Sequence, residues 1–188
     1  MSNLPPRLIT VHAAATYPSM DIGVSEIRQW HLDRGWNDIG YHYVIRRDGT
    51  LEHGRPVNII GAHVGNNNTK NIGICMAGGL KEGHSNTPED NFTDKQYTQL
   101  TKLLIELVDK YPSVELKGHN DFPGYESRGC PCFNQHAYFR WFRLASKVMY
   151  KPDDWFNNAK YDWHEIDPEA WNIPKTFYDE VVKGSVKS

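Results

Sequence analysis

The chain has 188 residues, enough for one ordinary domain with a real core, and a formal net charge of -2. With 21 Lys and Arg against 23 Asp and Glu and a pI near 6.5, it offers no basic face for nucleic acid and no polybasic patch for a membrane surface. The amino terminus, MSNLPPRLITVHAAAT, lacks a basic segment followed by an apolar run, and no stretch approaches the ~18 apolar residues of a membrane span. A soluble product made in the cytoplasm without a signal peptide is expected. Three cysteines, two of them in a Cys-Pro-Cys arrangement, do not make a disulfide framework and suit a metal or structural role in a reduced compartment. Six Trp and ten Tyr would suit a groove that stacks on sugars, and equally an ordinary core.

In chain order, Leu8 to His12 (LITVH) predicts a strand that ends on a histidine, followed by the small residues Ala13 to Ala15. Ser25 to Arg34 places Ile27, Trp30 and Leu32 at helical spacing and is closed by Gly35, with Ser25 or Asp21 as the expected cap. Ile39 to Arg47 alternates Tyr41, Tyr43 and Ile45 on one face with His42, Val44 and Arg46 on the other. Asp48-Gly49 then turns it into Thr50 to Arg55 as a β-hairpin. Ile59 to Val64 is a loop or short strand, and Asn71 to Met76 (NIGICM) reads as a buried strand.

Thr93 opens an amphipathic helix that carries Tyr97, Leu100, Leu103, Leu104, Leu107 and Val108 on one stripe and stops before Pro112. Val114 to Gly118 is a short strand delivering His119, and His136 to Met149 forms a second amphipathic helix. This order predicts an α/β fold, a central mixed β-sheet flanked by helices, over residues 1–149. Residues 150–188 form an acidic extension in which Trp155, Trp163 and Trp171 recur every eight residues, close to two helical turns. A helical extension packed on the domain is expected, with a ligand- or partner-contacting arm as the alternative.

Chemistry concentrates in KGHNDFPGYESRGCPCFN, Lys117 to Asn134, which sets His119, Cys130 and Cys132 around a loop rich in Gly and Pro. A catalytic zinc takes three protein ligands and keeps one position for water. Candidates from separate elements are His12, His119 and Cys130. Taken singly, each has an ordinary reading: a strand-end histidine is commonly a hydrogen-bonded structural residue, and a cysteine beside proline a small buried hydrophobe. His31, His84, His136 and His164 read as solvent or core histidines, and Cys75 as core.

VHAAAT around His12, GYHYVIRRDGTLEHGR around Tyr41, GAHVGNNNTKNIGICMAGG around His63, NFTDKQ, and GHND with GCPCF stand in order over roughly residues 8–145. In these motifs the chain resembles the zinc-dependent N-acetylmuramoyl-L-alanine amidases of the phage lysozyme (endolysin) type, which share the fold of the peptidoglycan recognition proteins. The resemblance implies one Zn2+ per chain held by His12, His119 and Cys130. Its Cys-Pro-x-Phe register places Cys132 at the x position, as a packed thiol. It implies a catalytic tyrosine at Tyr41 and substrate binding at His63, while His42 and His53 are expected to pack beside the sheet. Where the family commonly has a transition-state lysine, this chain has Arg128, which keeps the charge but is a poor proton donor.

The implied reaction is hydrolysis of the amide between N-acetylmuramic acid and L-alanine in bacterial peptidoglycan, by a monomer that acts on the wall after release from the host cytoplasm. Two other readings follow from the resemblance: a module that binds muropeptide without cutting it, and a regulator that binds the phage RNA polymerase. Non-catalytic relatives commonly lose the cysteine ligand, which is present here.

Overall fold

The structure is a computed structural model and describes residues 5–149, with side chains described as far as 143. The Trp-containing extension expected from residue 150 lies outside the described residues. The backbone divides into two compact units, Met1–Phe133 and Asn134–Ser188. The division falls ahead of the last described helix, whereas the sequence pattern suggests a boundary near residue 150.

The first unit is built on a five-stranded sheet. β1 (Leu8–Ala13) lies between β4 (Asn71–Met76) and β5 (Glu115–Gly118), parallel to both, and β2 (Tyr43–Ile45) extends the sheet parallel to β4. β3 (Leu51–His53) closes the far edge as the antiparallel arm of the expected hairpin, giving the order β3-β2-β4-β1-β5. The mixed sheet is the one predicted.

β1 and β4 are buried almost throughout, as parallel strands covered on both faces require. His12, Cys75 and Val44 lie abreast in register and share one face. On that face Val44 and Cys75 join Ile22, Val24, Ile27, Ile39 and Ala77 in a core cluster that includes two residues of α1 (Val24–Asp33). α2 (Asp94–Lys110) meets the sheet at β2 and buries Leu100, Leu103, Leu104 and Leu107, each worth about 1.5–3 kcal/mol of transfer free energy.

Local sequence explains α2 well. Thr93 Oγ1 accepts the Gln96 N–H at 3.2 Å while Gln96 Oε1 accepts the Thr93 N–H at 3.1 Å, a reciprocal cap at the predicted position. At α1 the cap differs from expectation. The helix begins at Val24 after Gly23, and neither Ser25 nor Asp21 caps it. Glu26 accepts the Gly23 N–H at 2.8 Å, Glu52 of β3 accepts the Val24 N–H at 2.5 Å, and Asp21 pairs with Arg46. A carboxylate from across the fold supplies what the local pattern assigned to a neighbour.

The second difference concerns the strand predicted from Ile39. Only Tyr43–Ile45 pairs as a strand. Ahead of it the chain is held irregularly, with the Gly40 N–H on His31 Nδ1 and the Ala62 N–H on the Gly40 carbonyl. Tyr41 therefore escapes the alternation and packs on the Val44 side, not the Tyr43 side. In the second unit α3 (Gln135–Met149) buries Tyr138, Phe139, Trp141 and Phe142. Among the described residues no helix is long and apolar enough to cross a membrane.

Candidate metal centre

Parallel pairing of β1 with β5 sets Val11 beside Gly118, so the next residues, His12 and His119, emerge together at the carboxyl ends of adjacent strands. Such strand ends are where open α/β sheets hold their ligands. Their rings lie 4.6 Å apart between centroids. The loop after His119 returns to place Cys130 Sγ on the Ala13 N–H at 3.3 Å and 3.8 Å from His12 Nδ1, and the Asn120 N–H fastens the loop to the Cys130 carbonyl. One ligating atom from each of His12, His119 and Cys130 lies within 4.8 Å of the others. Two ligands about 2.0 and 2.3 Å from a tetrahedral zinc would stand roughly 3.5 Å apart.

The electrostatics suit a cation. Burial, and then the neighbouring His63 and His119, hold the His12 pKa well below its ordinary value. Burial and Arg128 lower His119 to about 4, so both imidazoles are neutral, as metal ligands must be. Burial pushes the Cys130 thiol up to about 12, against the Ala13 N–H and Arg128, which favour its thiolate. A cation beside it is what would ionise it. Among the described residues, His119 Nε2 is the buried side-chain polar atom with no hydrogen-bond partner. An orphaned imidazole nitrogen next to a second imidazole and a thiol fits a metal ion.

Around the cluster, Tyr41 stands 5.2 Å from His12, ring to ring. Burial, and then Cys75 and Cys130, raise its phenol well above the usual range, so it is neutral and able to donate. His63 is buried at 8% exposure, with Nδ1 3.0 Å from His12 Nε2 and Nε2 3.3 Å from the Asn71 carbonyl. Arg128 is exposed, its guanidinium 5.0 Å over the Tyr125 ring, and that ring lies 4.5 Å from His119. Five of the six site residues singled out in the sequence thus converge directly, and Arg128 reaches the cluster through Tyr125.

Cys132 sits beside rather than in the ligand set, at a positive φ of 69°, its thiol pushed up to about 11 by burial and then Asp90. His42 is structural: Nδ1 accepts the Gly73 N–H at 2.9 Å and Nε2 faces the Ile59 carbonyl at 3.0 Å. Cys75 is fully buried. Sequence reasoning passed over Tyr125 and Asn71. The position of Tyr125 midway between two candidate ligands was the available signal, whereas nothing local marks the Asn71 carbonyl. The aromatic richness thins out too, since Trp30 packs on the α1 cluster, Trp141 is buried and Trp36 is exposed.

Residues 2–133 match the family model described as N-acetylmuramoyl-L-alanine amidase. The chain belongs to that amidase family. It is 41% identical over 138 residues to the endolysin of Enterobacteria phage K11, spanning 73% of this chain and 86% of the relative. Among solved structures the amidase resembles the N-acetylmuramoyl-L-alanine amidase LysC from Clostridium intestinale URNW, at 32% identity and a TM-score of 0.60, over 79% of this chain and 89% of that one. Drosophila PGRP-LB follows at 27% identity and a TM-score of 0.53, over 68% of this chain and 75% of that one, so the fold shared with the recognition proteins is also present. The amidase hydrolyses the bond between N-acetylmuramic acid and L-alanine in peptidoglycan.

Proposed function

We propose that the amidase is a zinc enzyme, with His12, His119 and Cys130 holding one Zn2+ per chain, Tyr41 and Arg128 as its catalytic side chains, and the bacterial wall as its site of action. The observation that carries the metal reading is the convergence of two neutral imidazoles and a thiol within 4.8 Å, around a ring nitrogen that no described protein group satisfies. Zinc accepts this donor set and, when bound, supplies Lewis-acid polarisation of the scissile carbonyl and a more acidic water.

The chain's own groups supply the rest. The Tyr41 phenol donates a hydrogen bond to the oxygen that gains charge as the carbonyl is attacked. Arg128, exposed over the Tyr125 ring, adds a fixed positive charge toward the same oxyanion and shares no proton with it. The amide C–N bond breaks, the hydroxyl of water goes to the lactyl carbonyl, and its proton goes to the departing alanine amine. We take the enzyme to be a monomer, and sedimentation velocity tests that. The relatives named endolysins support synthesis in a host cytoplasm and release to the wall through a membrane-permeabilising partner.

The presence of Cys130 in the cluster speaks against a module that only binds muropeptide. A role in binding phage RNA polymerase has no specific observation in its favour, and a pull-down with the cognate polymerase tests it. The metal reading is tested by mass spectrometry of digested peptidoglycan. Free lactyl carboxylates on muramic acid that vanish with a chelator and return with zinc are expected. Cleavage that persists in chelator would refute the metal role.

A further inference from the structure

His63 stands beside the candidate ligand set and touches it at one atom. Its Nε2 faces the backbone carbonyl of Asn71 at 3.3 Å, and its Nδ1 faces His12 Nε2 at 3.0 Å. A carbonyl can only accept, so the ring proton of His63 sits on Nε2 and Nδ1 carries a lone pair. His12 must then donate from Nε2, which leaves its own Nδ1 without a proton. That bare nitrogen is the one 3.8 Å from Cys130 Sγ. Reversing the chain would set two lone pairs against each other at Asn71.

The surroundings hold this polarity in place. Asn71 is pinned by Thr10, whose Oγ1 donates to Asn71 Oδ1 at 2.9 Å, and by its own Nδ2, which donates to the Asn67 carbonyl at 2.9 Å. Asn68 Oδ1 accepts the N–H groups of both His63 and Val64 at 2.8 Å. The imidazole lies in a slot made by two glycines, since a β-carbon on Gly73 would come 2.6 Å from its Cδ2, and one on Gly61 2.7 Å. A backbone carbonyl has no tautomers, so it is a fixed reference from which the proton positions of two histidines follow.

We propose that His63 is a positioning residue, which locks His12 in the Nε2–H tautomer and so presents Nδ1 to the metal. Substrate contact, the role implied by resemblance, fits less well, because both ring nitrogens are engaged within the protein and the residue is 8% exposed. Outer partners of this kind orient a ligating ring, and their loss weakens metal binding by about 10–100-fold. The inference rests on the metal-enzyme reading above.

The test is made on the full chain. Long-range 15N spectra of the histidine rings should show Nε2–H tautomers for both His12 and His63 in the wild type, and zinc coordination by His12 Nδ1. Competition with a chromophoric chelator should show His63→Leu binding zinc about 10–100-fold more weakly. His63→Asn, whose Oδ1 stands in for the acceptor Nδ1, should recover most of that loss, which a role in packing alone would not produce. A His12 that carries its proton on Nδ1, or a folded His63→Leu protein with wild-type zinc affinity, would overturn the inference. If His63→Leu does not fold, the wild-type spectra decide by themselves. A wild type that binds no stoichiometric zinc would instead refute the metal reading.

Discussion

Cys130 Sγ stands 3.8 Å from His12 Nδ1 although 118 positions separate the two residues. The contact exists because the loop after β5 doubles back over the carboxyl end of β1, where the Ala13 N–H also meets the sulfur. Cys130→Ser keeps the size and removes the thiolate. Its expected outcome is joint loss of zinc and of muralytic activity, read by metal analysis and turbidity clearing. Zinc should also raise the melting temperature of the wild type and leave that of the variant unmoved, because only a bound ligand shifts the folding equilibrium.

Tyr41→Phe separates chemistry from metal binding. The phenol is not in the ligand set, and its ring packs beside His12 at 5.2 Å. The variant should hold stoichiometric zinc while kcat falls by about 10²–10³-fold, the usual cost of removing one oxyanion donor. Unchanged kcat would remove Tyr41 from the mechanism.

Arg128 is the informative departure from the family pattern. Arg128→Ala should lower kcat by ~10²-fold and leave zinc content unchanged, since the side chain reaches the cluster through the Tyr125 ring and is not a ligand. Arg128→Lys should restore much of the rate and add an alkaline limb to the pH profile near ~10, because an ammonium can lose its proton there and a guanidinium does not. A lysine variant with an unaltered pH profile would show that this charge does not act on the reaction.

Stability without metal should fall on acidification. His42 Nδ1 accepts the Gly73 N–H and His31 Nδ1 accepts the Gly40 N–H, so both rings are neutral in the fold. Burial lowers both pKa values, helped by Arg55 at His42 and by Arg34 and Arg55 at His31, while the Ile59 carbonyl opposes the shift at His42. Below the unfolded pKa of 6.5 the unfolded chain takes up protons that the folded chain refuses. The stabilisation is therefore complete above 6.5 and is lost as pH falls toward the lowered folded values, by at most about 1.4 kcal/mol per pH unit for each ring. His12, His63 and His119 contribute with the same sign. Urea midpoints measured in chelator at pH 7.5 and 5.5 should differ, and His42→Asn should reduce the difference by the share of that one ring. Equal midpoints would mean that the rings protonate within the fold.

Much of this molecule was legible along the chain, and for a local reason. β4 runs over NIGICM as the apolar residues after Asn71 predict, and α2 starts at Thr93 because Thr93 and Gln96 cap one another within a single turn. The residue types at positions 12, 119 and 130 announced a metal set for the same reason, since softness and charge belong to the side chain itself. Periodicity, capping and donor chemistry are written within a few residues of where they act.

Tertiary structure decided what depends on partners far away in sequence. Glu52, 28 positions on from Val24, joins Glu26 in capping α1, where local reading pointed to Ser25 or Asp21. Tyr41 faces His12 because its segment leaves the strand alternation, held off by His31 Nδ1 on the Gly40 N–H. His63 meets His12 across 51 positions, in an order of protons set by the Asn71 carbonyl. Sequence by itself determined which atoms could bind a metal and which segments could form the sheet. Only the packed fold, by bringing distant donors and acceptors within 3 to 4 Å, determined which nitrogen of His12 is left to do so.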